Sequence, residues 1–229
     1  EKKAIKSVEK ARKLIINSIP KDKLVAIYIK GSFVRREMKR ESDVDIVPIV
    51  TENKYEKAVF DTNIPEVNPP CMIVPLSLWE FKHNKLFTKA EDIPDTRAKP
   101  DRFLKRLKYF RLIWGKPLSL KGFKIRSDKK AFSDHLKYML EVLIPRYENK
   151  NASLKWIIKE FFWLTENELE LKGMKVKHSF KDITNAVKDK THPINEAYEF
   201  RTKNMKNQKK EKEFIRKVKK HLVNIREEN

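Results

Sequence analysis

The sequence has one cysteine, four glycines and no long apolar run. A lone Cys71 excludes an internal disulfide and a cysteine-built zinc site. It also agrees with a reducing compartment, so the cytoplasm is the expected location. The longest uninterrupted apolar stretches, Leu24–Ile29 and Cys71–Leu76, have six residues each. A bilayer-spanning helix needs about 20, so no membrane association is expected. No signal-peptide pattern opens the sequence, which starts at Glu1 rather than Met, and a trimmed start is expected. Acidic residues are scarce as well. Against 53 Lys and Arg stand only 32 Asp and Glu, a formal net charge of +21. An imbalance of that sign and size favours acidic partners, above all nucleic acid and nucleotide phosphates.

What is present suffices for a packed protein. The chain has 229 residues, enough for one domain or two small ones. Hydrophobic residues at 40% and aromatics at 10% exclude a disordered polyelectrolyte, although 37% of residues are charged. Ile5, Val8, Ala11, Ile15 and Ile19 recur at helical spacing over residues 3–19, and Pro20 stops the run. Leu24–Ile29 reads as a buried strand, residues 33–39 as a short helix and 43–50 as a second strand. A helix over 54–61, a strand over 71–77 after Pro65, Pro69 and Pro70, and a helix over 78–87 complete this half. Alternation of helix and strand predicts an α/β unit with a small mixed sheet.

Beyond residue 96 strand signals nearly vanish. Phe103, Leu104, Leu107, Phe110 and Trp114 read as one helical face ended by Gly115. Further helices are expected over 131–143 (stopped near Pro145), 154–171, 180–188 and 193–226. Phe161, Phe162 and Trp163 read as core. The fold class is therefore α+β: residues 1–118 form a domain around a small mixed sheet, and residues 119–229 an all-helical domain. Positive charge concentrates near the join. Residues 97–130 hold thirteen Lys and Arg against Asp101 and Asp128 only, a net of +11, and this basic hinge is expected to attract phosphate. The tail, 201–229, holds eleven Lys and Arg against four Glu and reads as a solvated surface.

One constellation points to chemistry. Gly31-Ser32 ends the first strand, and ten residues later comes Asp43-Val44-Asp45-Ile46. Side chains alternate along a strand, so Asp43 and Asp45 share one side while Val44 and Ile46 turn to the core. Two adjacent carboxylates repel, and a divalent cation relieves this. Hard oxygens choose Mg²⁺, which binds one or two carboxylates together with substrate phosphates. Gly31 lets a phosphate approach the backbone, and Ser32 adds a hydroxyl where the next helix is expected to offer its free amides. The two halves make a phosphate cradle facing a metal-holding pair.

Gly31-Ser32 with Asp43-Val44-Asp45-Ile46 resembles the signature of the DNA polymerase beta-like nucleotidyltransferase superfamily. Leu112-Ile113-Trp114-Gly115-Lys116-Pro117-Leu118, followed by a helical domain, is similar to the aminoglycoside nucleotidyltransferases and related small nucleotidyltransferases. The resemblance implies an N-terminal nucleotidyltransferase domain with a C-terminal helical one. It implies that Asp43 and Asp45 hold two Mg²⁺ (or Mn²⁺) and are catalytic, and that Gly31 and Ser32, with Arg35, Arg36 and Ser42, bind a nucleoside triphosphate. Arg35, Arg36 or Lys30 would steady the departing pyrophosphate as a nucleoside monophosphate passes to an acceptor. The family has a third acid on a later strand. Here that strand reads Cys71-Met72-Ile73-Val74-Pro75-Leu76, with Met72 or a neighbour at the place. Glu66, Glu80, Asp134 and Glu141 are the candidate substitutes. The absence of an evident third acid supports an alternative, a non-catalytic nucleotide- or RNA-binding module on the same fold. A general basic nucleic-acid binder would explain the charge but not the motif spacing. The charge disfavours a polycationic acceptor and favours an anionic one such as RNA, or a protein hydroxyl. Arg216 and His221 give the Arg-x4-His spacing of a ribonuclease motif, read here as plain basic helix. His83, His135, His178 and His192 show no HxxxH or HxH pairing, so no transition-metal site is expected.

Overall fold

A computed structural model describes residues 2–39, 42–87, 99–203 and 207–228. Arg97 of the basic stretch and Lys206 of the tail lie outside the described residues. The chain divides into two compact units, Glu1–Ile125 and Arg126–Asn229.

The first unit is built on a five-stranded mixed sheet. Its elements are α1 (Lys2–Ser18), β1 (Leu24–Lys30), β2 (Val44–Val50), α2 (Glu56–Phe60), β3 (Cys71–Ile73), β4 (Leu76–Ser77), α3 (Leu78–His83), α4 (Pro100–Lys105) and β5 (Arg111–Gly115). The strands run in the order β3-β2-β1-β5, and β4 also pairs with β2. β1 is antiparallel to β2 and β5, while β3 and β4 are parallel to β2.

Alternation along β1 and β2 sorts the side chains into two layers. Ile27, Ile29, Val44, Ile46 and Val50 pack with Ala4, Val8, Ala11 and Ile15 of α1. Ile5 is 44% exposed and Ala4 takes its expected place in that face. Ala26, Tyr28, Val47 and Ile49 pack on the other side with Phe81 of α3 and with Phe103 and Leu104 of α4. An apolar body on both faces accounts for the near-continuous hydrophobic runs of the two central strands.

Several expected elements are different. Residues 31–36 form a series of turns, not a helix, because Gly31 (φ 80°) and Arg36 (φ 57°) both lie in the left-handed region. The run 71–77 is two short strands. The helix expected up to Gly115 is instead α4, a 3₁₀ turn over Leu107–Tyr109, and β5. Phe103 and Leu104 do face the core. Leu112–Trp114, however, pair with β1, whose edge would otherwise expose a row of unpaired backbone groups. Gly115 (φ 80°) makes this pairing close, since a Cβ there would collide with the Val25 carbonyl oxygen and lie 2.9 Å from Ala26 Cα.

The second unit is all helical: α5 (Asp128–Tyr138), a π-helical turn (Met139–Leu143), α6 (Ile144–Glu148), α7 (Leu154–Leu171), α8 (Phe180–Ala186), α9 (Ile194–Lys203) and α10 (Gln208–Glu228). Pro145 does not stop the helix as expected. It follows a π-helical turn, whose widened spacing relieves the clash a proline ring makes with the preceding turn. The expected 193–226 helix is two helices, α9 and α10. Serine caps set three starts: Ser127, Ser153 and Ser179 accept the amides of Lys130, Trp156 and Asp182. α7 is the central helix, with Phe161, Phe162 and Trp163 buried among the side chains of α8, α9 and α10. Its buried Glu160 and Glu166 are matched by His135 at 3.0 Å and His178 at 2.8 Å. Among the described residues no helix is long and apolar enough to cross a membrane.

Candidate active site

The aspartate pair sits at one end of β2, on the face opposite α1. Toward the middle of that face Val47, Ile49 and Tyr28 are buried by α3 and α4. At its end the apolar cover stops, and Asp45 is half-buried while Asp43 is exposed. Asp45 is in register with Lys30 of β1 and with Met72 of β3. Lys30, Asp45 and Met72 thus form one row across three strands on one sheet face.

The glycine bend reaches this row directly. Gly31 follows Lys30 and turns the chain back over Asp45. A Cβ placed on Gly31 would collide with Asp45 Oδ2 and lie 3.2 Å from its Cγ. The Asp45 carboxylate therefore packs into the place a side chain on Gly31 would take. The turns that follow are closed by three backbone bonds, from the Arg35, Arg36 and Glu37 amides to the Gly31, Phe33 and Ser32 carbonyls. Among the described residues the amides of Ser32, Phe33 and Val34 have no acceptor. These three successive amides replace the helix N-terminus expected from the sequence. Successive free amides in a turn make an anion-binding concavity without a helix.

The remaining candidates are less alike. Arg35 Nε donates to Glu37 Oε2 at 2.8 Å, and both side chains are largely buried, so this arginine braces the turn. Arg36 is exposed. Ser42 Oγ accepts the Lys39 amide at 2.9 Å and the Ser42 amide donates to the Lys39 carbonyl, which closes the loop ahead of Asp43.

β3 is pinned beside the aspartates by the preceding loop. The Val44 amide donates to the Pro70 carbonyl and the Val74 amide to the Ile46 carbonyl. Asn63 serves the strand's outer side. Its Nδ2 donates to the Ile73 carbonyl and its Oδ1 accepts the Ile73 amide, each at 2.7 Å. Ser7 Oγ donates to the Pro69 carbonyl at 2.5 Å and ties the loop to α1.

No acid takes the Met72 position, and Met72 itself is 40% exposed. Glu80 is fully buried at the other end of β2. It forms a capping box with Ser77, and its Oε1 accepts the Phe87 amide at 2.7 Å. Ser77 pairs with Val50, five residues and so about 17 Å along the strand from Asp45. Glu66 is exposed. In the second unit, Asp134 pairs with Arg126 at 2.8 Å and with Lys130 at 3.0 Å, and Glu141 pairs with Lys137 at 3.7 Å. Within the basic stretch Arg106 is buried, and Arg126 and Lys130 share the single charge of Asp134.

No protein-family sequence profile matches the chain, and no curated protein matches it in sequence. Solved structures do. Spectinomycin adenyltransferase AAD(9) from Enterococcus faecialis, crystallised with ATP and spectinomycin, superposes with a TM-score of 0.60 at 12% identity. The match covers 96% of this chain and 99% of that one. A toxin–antitoxin structure with AMP-PNP covers 47% of this chain and 73% of its own at 19% identity, and its TM-score of 0.31 carries no weight. Similarity along nearly the whole chain at so low an identity is a statement about architecture. The chain, a mixed sheet followed by a helical unit, shares the fold of the AAD(9) structure.

Proposed function

We propose that the protein is a metal-dependent nucleotidyltransferase. It passes a nucleoside monophosphate from a nucleoside triphosphate to an acceptor and releases pyrophosphate. The first unit is its nucleotidyltransferase domain and the second its helical domain. The observation that carries this reading is the contact between Gly31 and Asp45. The glycine lets the Asp45 carboxylate lie against the backbone of the bend, where any side chain would collide with it, so the metal-binding carboxylate and the backbone amides that follow Gly31 can meet one triphosphate together.

The donor set suits hard cations. Asp43 and Asp45 offer only carboxylate oxygens, which favours Mg²⁺, with Mn²⁺ as a substitute. Two such ions, when bound, clamp the attacking and leaving oxygens of an in-line displacement. The residues of this chain do the rest. Asp43 and Asp45 hold the cations. The Ser32, Phe33 and Val34 amides and the Ser32 hydroxyl receive the triphosphate. Exposed Arg36 and half-buried Lys30 offset the charge of departing pyrophosphate, while Arg35 and Ser42 hold the shape of the loop. Phosphoryl-type transfer consists mostly of such positioning and charge stabilisation. ATP in the AAD(9) structure supports a nucleoside triphosphate as donor. A net charge of +21 supports an anionic acceptor such as RNA, and a single cysteine supports a reducing compartment such as the cytoplasm.

Asp45→Asn tests the assignment. Mg²⁺-dependent binding of a fluorescent nucleoside triphosphate, and pyrophosphate release with RNA, protein and small-molecule acceptors, should both be lost while the far-UV circular dichroism is unchanged. Retained binding refutes the metal role of Asp45. A second reading has its own support in Met72, which stands in register with Asp45 and cannot act as a base. On that reading the protein binds nucleotide without turning it over. Steady pyrophosphate production with any acceptor removes it.

A further inference from the structure

Three side chains that ligate metals come together in the helical unit. Glu168 lies on α7, His192 just before α9 and His221 on α10. They are 24 and 29 residues apart in sequence, a spacing that no short motif reveals. One ligand atom from each lies within 4.8 Å of those from the other two, and all three residues are half-buried.

The surroundings hold the group in place. Phe161 stacks on the His192 ring at 6.0 Å and meets the His221 ring edge-on at 5.9 Å. The two imidazoles are T-shaped with centroids 4.2 Å apart. The loop carrying His192 is cross-linked by hydrogen bonds. Asn195 Nδ2 donates to the carbonyls of Asp189, Lys190 and His192, and Asp189 Oδ1 accepts both the amide and the hydroxyl of Thr191. Glu168 Oε1 takes Lys172 Nζ at 2.6 Å, and among the described residues its second oxygen has no such partner.

We propose that Glu168, His192 and His221 form a divalent transition-metal site, with zinc preferred, that ties α7, α10 and the start of α9 together. Two imidazole nitrogens and one carboxylate are a borderline-soft set that fits zinc, with a fourth position open to water. Mg²⁺, which wants near-octahedral oxygen ligands, is a poor occupant. His192 makes one exchange on binding. Its Nδ1 now accepts the Ile194 amide at 3.0 Å and so caps α9, which places the ring proton on Nε2. Coordination through Nε2 moves that proton to Nδ1 and trades the cap for a metal–nitrogen bond.

The site is independent of the nucleotidyltransferase reading, whose aspartates lie in the first unit. The test uses the full chain stripped of metal, titrated with zinc and with cobalt(II). Wild type should bind one zinc per chain, unfold at a higher temperature when loaded, and give the visible absorption of four-coordinate cobalt(II). His192→Asn keeps a capping side chain but removes the imidazole, and His221→Gln removes the other. Each should weaken zinc affinity at least about 10-fold, since a lost ligand costs no less than a lost outer-shell partner. The Asp43→Asn/Asp45→Asn double variant should bind zinc as wild type does. Glu168→Gln, of the same size, replaces any variant that fails to show native circular dichroism. No stoichiometric uptake by wild type, or equal uptake by the histidine variants, overturns the proposal and leaves the trio as a packed polar cluster.

Discussion

Replacing Gly31 with alanine perturbs the backbone and the carboxylate at once. Gly31 has φ 80°, where an L-residue costs about 1–2 kcal/mol. The new methyl would also collide with Asp45 Oδ2, so the carboxylate must withdraw by about an ångström, a displacement that costs on the order of 100-fold in a positioned site. Such a loss is about 2.7 kcal/mol of binding or transition-state energy. Gly122→Ala separates the two effects. Gly122 has φ 87°, and a Cβ there meets nothing within 4 Å. Both variants should lose about 1–2 kcal/mol in urea denaturation, from left-handed strain. Only Gly31→Ala should lose Mg²⁺-dependent affinity for a fluorescent nucleoside triphosphate, by about 100-fold. Wild-type affinity in Gly31→Ala, or an equal loss in Gly122→Ala, refutes the claim that Asp45 keeps its place only because position 31 has no side chain.

Two further outcomes are expected. Gly115→Ala adds contact with Val25 and Ala26 to left-handed strain, so it should cost about 2–5 kcal/mol, read from the urea midpoint; a loss below about 1 kcal/mol would mean that β5 can move off β1 freely. His192 titrates at an ordinary 6.5 when unfolded and at about 4 when folded, with His221, Glu168, Asp189 and Lys172 as the charges around it. The fold therefore favours the neutral ring: this stability is present above pH 6.5 and lost as pH falls through about 4. In metal-free buffer, wild type should lose stability over that window, and His192→Asn should lose less; identical pH profiles would refute the burial of a neutral ring.

Local signals in the sequence were enough for the parts governed by short-range rules. Leu24–Lys30 and Val44–Val50 are strands because β-branched and aromatic residues run unbroken there. α7 runs over the expected Leu154–Leu171 because Ser153 caps a strongly apolar helix. The Gly31-Ser32 and Asp43-x-Asp45 pair was legible because strand alternation and glycine's freedom are properties of the backbone. Tertiary context decided the rest. Leu112–Trp114 fit a helix or a strand equally well by pattern, and the open edge of β1 selected the strand. Residues 33–39 had no such partner, and two left-handed residues turned the chain where a helix was expected. Met72 acquires meaning only from its register with Asp45, and Glu80 loses its candidacy only when β4 is seen at the far end of β2. Glu168, His192 and His221 are mutual neighbours only because three helices pack around Phe161. Periodicity records which way a side chain faces along its own element. Which elements meet is set by burying many such faces together, and that is a property of the whole fold.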